Sequence, residues 1–179
     1  MSDEDISAIR TALSSHGAFE KRDGVFACTT TPFDATVGAR PADGQRAGVF
    51  EVTVKLPTLD AAVDGEQVAD AVEDGWYDTL SLRLEDTFDV AQASSNEHVT
   101  VERENGTVRV ELEFTAANAG QGVDDAKALI EFVEGTYLQG IVPGYDYGDP
   151  VAQLLSAARR RGDQATEGDD GSERGGTPL

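Results

Sequence analysis

The chain has 179 residues, with 34 Asp and Glu against 14 Lys and Arg, a net charge of −20 and 39% hydrophobic residues. That is enough length and apolar content for one domain with a sizeable core. The charge excludes a nucleic-acid or anionic-membrane partner, because phosphate binding needs a basic face and the only basic run is Arg159-Arg160-Arg161. The single cysteine, Cys28, excludes an internal disulfide and a cysteine-based zinc site.

Two explanations of the acidity compete. Strong negative charge with few aromatics marks disordered chains. Here the acids interleave with apolar patterns such as "VFEVTVKL" and "VRVELEF", which a disordered segment lacks. The expectation is a folded domain with an acidic, salt-tolerant surface. Three lysines against eleven arginines fit that expectation. In molar salt the screening length falls to about 3 Å, so surface acids repel one another weakly. The opening "MSDEDISAIR" has neither a basic stretch nor an apolar run of the secretory kind, and no apolar run approaches the ~20 residues of a membrane helix. The expected location is cytoplasmic.

The first element reads as a short helix capped by Ser2, with Ile6, Ile9 and Leu13 as its apolar stripe and Gly17 at its end. "AFEKRDGVFACTTT" reads as a hairpin turning on Asp23-Gly24. "DATVGAR" alternates, with Ala35, Val37 and Ala39 on one face. After a loop over 41–47, "GVFEVTVKL" is a strand with Phe50, Val52, Val54 and Leu56 on one face, ended by Pro57. A helix is expected from Gly65 to Asp74 with Val68, Ala71 and Val72 inward. The next stretch, "GWYDTLSLRLED", carries both periods. Leu80, Leu82 and Leu84 alternate like a strand, while Val68, Val72, Trp76 and Leu80 recur like a helix, and the balance leans to helix.

"HVTVERENGTVRVELEF" is a second hairpin with Asn105-Gly106 at its tip. A long helix is expected over Val123–Val142, with Asp124 and Asp125 in its first turn and Ala126, Leu129, Ile130, Val133, Tyr137 and Ile141 as its core stripe. Asp149 then caps a last helix with Pro150 in its first position, and Val151, Leu154, Leu155 and Ala158 point inward. The domain is expected to span 1–162, with 163–179 a disordered acidic tail. The resulting order implies α+β: one antiparallel sheet with helices on one face. The order is similar to that of type III secretion chaperones and of bacterial sensory regulators sharing their fold, on topology alone.

Three stretches, "TTTPFDATV" (29–37), "EDGWYDTLSLRLED" (73–86) and "DAKALIEFVEGTYLQGIVPGYDYGDPVAQLL" (125–155), together resemble an uncharacterised haloarchaeal protein family, a domain of unknown function. The resemblance covers roughly 5–160. It implies a halophilic archaeal origin, a cytoplasmic location and a single domain, and brings no activity or catalytic residues.

Site candidates are few. His16 and His98 have no ligand-spaced neighbours, so neither is expected to hold a metal, and Cys28 reads as a small core residue. No P-loop lysine and no GxSxG is present. The loop "PGYDYGDP" (143–150) carries Tyr145, Asp146 and Tyr147 between two helices and is a candidate contact surface; the competing explanation is a structural turn. Trp76 and Tyr137 complete the candidate set, with no catalytic residue, metal or cofactor expected. The leading expectation is a non-enzymatic interaction or adaptor module with another protein as its partner. The alternative is a small-molecule-binding protein or enzyme with an aromatic-acidic pocket near Trp76 and Tyr145.

Overall fold

In a computed structural model, residues 2–44, 47–92 and 94–167 are described. The chain runs α1 (Ser2–Ser15), β1 (Phe19–Arg22), β2 (Val25–Cys28), β3 (Asp34–Arg40), β4 (Gly48–Pro57), α2 (Leu59–Ala62), α3 (Asp70–Leu84), a 3-10 turn (Thr87–Val90), β5 (Ser94–Glu104), β6 (Thr107–Ala116), α4 (Ala119–Gln139) and α5 (Val151–Glu167). The six strands form one antiparallel sheet in the order β1-β2-β3-β4-β6-β5. The α+β expectation holds, with four strands before α3 and two after it.

Both hairpins turn where the sequence places them. Asp23 and Gly24 have φ of 48° and 87°, and Asn105 and Gly106 have 50° and 76°. Positive φ at both central residues defines the primed turn that suits twisted strands, and Asn, Asp and Gly tolerate it best. β4 and β6 are the centre of the sheet. Their registers set Phe50 against Phe114, Val52 against Leu112, Val54 against Val110 and Leu56 against Val108. All eight side chains are buried on one face, and the Phe50 and Phe114 rings stack at 5.0 Å. The opposite face carries Arg40, Glu51, Lys55, Arg109, Glu111 and Glu113, all at least partly exposed.

α4 lies across the buried face. Val123, Ala126, Leu129, Ile130, Val133 and Tyr137 form its buried stripe, as the 3.6-residue period demands. α1 adds buried Ile9 and Leu13 on one side of it, and α3 adds Trp76, Leu80 and Leu84 on the other. α5 joins through buried Val151 and half-buried Leu154 and Leu155.

Several boundaries differ from the sequence reading. α3 begins at Asp70, not Gly65. Gly65 has φ of 79°, and the Val68 N–H donates to the Asp60 carboxylate at 2.8 Å, so this stretch is a turn tied to α2. α3 then continues through Gly75 to Leu84. Leu80 and Leu84 are buried while Leu82 is 65% exposed, which is helical spacing. Val72, expected inward, is 37% exposed. α4 starts four residues early because Asn118 caps it, its Oδ1 accepting the Gln121 N–H at 2.9 Å. Asp124 and Asp125 therefore sit in the second turn, and Gly140 ends the helix before Ile141. β5 starts at Ser94, four residues before His98. Asp149 accepts from the Gln153 side chain, and α5 begins after Pro150. Ala158 is exposed. α5 also runs on to Glu167, through residues expected in the tail, and 168–179 lie outside the described residues.

Candidate functional site

The five sequence candidates divide into two groups. Tyr137 and Trp76 belong to the core. Tyr137 is fully buried, donates its hydroxyl to the Pro57 carbonyl at 3.0 Å, and meets Phe33 edge-on at 5.3 Å. Burial pushes its phenol well above the ordinary range, with Tyr147 and Glu73 adding to the effect. It stays protonated at any physiological pH and cannot serve as a general base. Trp76 is 5% exposed and packs perpendicular to Tyr137 at 5.9 Å. Its indole N–H is buried with no hydrogen-bond partner among the described residues.

Tyr145, Asp146 and Tyr147 belong to the 143–150 loop, which is stitched to the end of α2. The Asp146 carbonyl accepts the Asp64 N–H at 2.8 Å, and the Gly148 N–H donates to the Ala62 carbonyl at 2.9 Å. Val63 and Tyr147 form an isolated antiparallel bridge. Tyr147 donates its hydroxyl to the Val142 carbonyl, and burial raises its phenol. Tyr145 lies 6.5 Å from Tyr147, ring to ring, and the Asp146 side chain is exposed. A Cβ on Gly148 would meet the Asp64 carboxylate, its Oδ2 at 2.8 Å, so a larger residue there would have to displace that exposed side chain. The loop is a connector with its aromatics half-buried, and the five candidates do not converge on one cavity.

What α3 and α4 build beside Trp76 is different. A groove of about 410 Å³ runs between α3 and the C-terminal end of α4. Val72, Gly75, Thr79 and Arg83 line it from one side, Thr136, Gln139 and Gly140 from the other, and Ile141 to Pro143 close one end over a wall of Trp76 and Leu80. None of its lining residues is acidic, in a chain where 34 of 179 residues are. Arg83 is its one charged group, and Arg83 makes no ion pair with another described residue. Leu82, next to Arg83, is the most exposed large apolar side chain among the described residues. The sequence carries this signal only in retrospect. Positions 71, 72, 75, 76, 79, 80 and 83 are acid-free at helical spacing, which becomes visible once α3 is placed over 70–84.

The second cavity, about 590 Å³, has the opposite character. It is lined by Asp60, Asp70, Glu73, Asp74, Glu104 and Arg103 among others, where α2 and α3 meet the tip of the β5–β6 hairpin. Desolvation raises the Glu73 carboxyl above its ordinary value, although it accepts the Asp60 N–H at 3.0 Å. No group of three or more His, Cys, Asp or Glu among the described residues is placed to hold a metal. His16 Nδ1 accepts the Ala18 N–H at 3.2 Å, and its Nε2 lies 3.6 Å from Asp124, beyond hydrogen-bond range. Cys28 is buried, with Sγ 3.3 Å from Thr30 Oγ1.

These features describe a small α+β domain with one open antiparallel sheet and a mixed groove. Residues 14–157 match the model of a family of unknown function, DUF5813, and the chain belongs to that family. No curated protein and no solved structure matches it. No helix among the described residues is long and apolar enough to cross a membrane.

Proposed function

We propose that the protein is a non-enzymatic binding module that engages another protein through the α3–α4 groove. The carrying observation is the groove's composition. Interface centres are depleted of charge and built on apolar anchors with Arg at hand. A lining without acids, with Arg83 inside it and Leu82 exposed beside it, has that character on an otherwise acidic chain. A small-molecule pocket at Trp76 and Tyr145 has less support, because Tyr145 does not line the groove and Trp76 is a wall of it with 5% exposure.

The proposal extends to the setting. A net charge of −20 on one domain suits a concentrated-salt cytoplasm of the haloarchaeal kind, where screening relieves the repulsion and hydration keeps the chain soluble. The likeness of element order to type III secretion chaperones adds nothing to this reading, since topology does not carry function.

The test is capture from a molar-salt extract by wild type and by a Val72→Asp, Leu82→Asp variant. Both positions are exposed, so the variant keeps its fold. A partner held by wild type and lost by the variant supports the reading. Equal capture by both, or none by either, ends it.

A further inference from the structure

β5 is an edge of the sheet. The two-residue Asn105-Gly106 turn makes Glu104 and Thr107 a hydrogen-bonded pair, and an antiparallel ladder alternates from there. Val99, Val101 and Arg103 therefore fall at non-hydrogen-bonded positions opposite Leu112, Val110 and Val108, and their N–H and C=O groups point outward, away from β6. Such a row is a template for another strand unless something covers it.

α3 covers it at one point. The Tyr77 hydroxyl donates to the Val101 carbonyl at 3.1 Å. The Arg103 guanidinium sits 4.6 Å from the centre of the Tyr77 ring and donates to Asp74 at 2.8 Å. Asp74 and Tyr77 are three apart on a helix and Val101 and Arg103 two apart on a strand, so each pair shares one face. The three side chains form a clasp over the middle of the edge.

We propose that the β5 edge is a pairing surface for a second copy of this chain, and that the Tyr77–Arg103–Asp74 clasp holds it shut. The side chains of β5 select that occupant. Antiparallel self-pairing centred on Thr100 sets Val99 against Val101, His98 against Glu102 and the two Thr100 against each other. Centring on Val101 would set Val99 against Arg103, and centring on Val99 would set Val101 against Glu97. Centring on Val101 also opposes valine to valine and His98 to Glu104, but only the Thr100 register keeps both valines away from a charged partner while setting base against acid, and opposed threonines are themselves a favourable pair. In that register the Val101 carbonyl accepts from the second copy's Val99 N–H. Tyr77 already donates to that oxygen and its side chain lies over the edge, so the clasp competes with pairing.

The experiment uses the whole chain in molar salt with Cys28→Ser and Thr100→Cys. Non-hydrogen-bonded partners lie about 4.5 Å apart at Cα, which falls within disulfide range. The expected result is slow covalent dimerisation with the clasp intact and a rate roughly tenfold higher with Tyr77→Phe and Arg103→Ala, the weight of one lost hydrogen bond and one lost cation–π contact. Tyr77→Phe alone keeps the ring and removes only the cap, so it should show part of the rise if the double variant folds poorly. Glu111→Cys in place of Thr100→Cys reports random collision and should not respond to the clasp. Equal rates with and without the clasp, no dimer in either, or an equal response at position 111 would overturn the proposal. The groove variant Val72→Asp, Leu82→Asp leaves this assay unchanged, so the two surfaces fail or stand separately.

Discussion

A Cβ placed on Gly122 of α4 would lie 2.2 Å from Cζ of Phe50 on β4 and 2.9 Å from the Ala116 Cβ. The helix comes down on the centre of the sheet at a glycine. Phe50 fills the space and stacks on Phe114. Gly122→Ala should therefore destabilise the fold by about 2 kcal/mol, overpacking outweighing the helix propensity gained. Gly135 lies in the same helix with nothing within 4 Å of its would-be Cβ, and Gly135→Ala should stabilise by up to about 1 kcal/mol. Chemical denaturation of the pair in molar salt checks both signs.

Tyr137→Phe removes the hydroxyl that reaches Pro57 while keeping the ring between Phe33 and Trp76. A buried hydrogen bond lost in this way costs about 1 to 2 kcal/mol. The expected signature is a lower denaturation midpoint with an unchanged m-value.

Glu73 gives the stability a pH dependence. Its carboxyl titrates above the ordinary range because it is desolvated. The folded state therefore binds the Glu73 proton more tightly than the unfolded state does. This group's contribution falls as pH rises from the ordinary carboxylate range through the raised value, and its cost is fully present above that. Glu73→Gln keeps an acceptor for the Asp60 N–H and removes the charge. Its melting temperature should exceed that of wild type at pH 7, and the gap should close in acid. A lower melting temperature at pH 7 would contradict the assignment.

Glu51 and Glu113 are register partners on the open sheet face, and Arg40 bridges them, its Nε 3.2 Å from Glu51 and an Nη 2.6 Å from Glu113. Directly opposed like charges destabilise a sheet. Arg40→Ala leaves them facing each other without the cation. The variant should melt below wild type in dilute buffer, and the difference should shrink in molar salt. A difference independent of salt would mean that Arg40 acts through packing.

The hairpins were legible in the sequence because Asp23-Gly24 and Asn105-Gly106 encode their turns locally. The α4 stripe was legible from Ala126 to Tyr137, where five buried residues keep one helical period, while Ile141, also expected in it, lies beyond the Gly140 end. The start of α3 was not. Gly65–Val68 continues the apolar spacing of the helix, and only the Asp60 carboxylate, eight residues back, shows that Val68 belongs to a turn. The alternation of Leu80, Leu82 and Leu84 was ambiguous until burial separated Leu82 from the others. Trp76, Tyr137, Tyr145 and Tyr147 stood out as candidates for a contact surface; the structure buries Trp76 and Tyr137 in the core and leaves Tyr145 and Tyr147 half-buried in the loop. The groove escaped because it needs α3 beside the end of α4, some sixty residues later in the chain. The Tyr77–Val101 contact escaped for the same reason.

The α3–α4 groove is tested most directly by a photo-crosslinking residue at Leu82 in the full chain, set against the same probe at Val25, an exposed apolar position on β2. In molar-salt extract the Leu82 probe should yield one discrete heteromeric adduct that Val72→Asp abolishes, and the Val25 probe should yield none. Identical adducts from both positions, or no adduct at Leu82, would contradict a binding surface there.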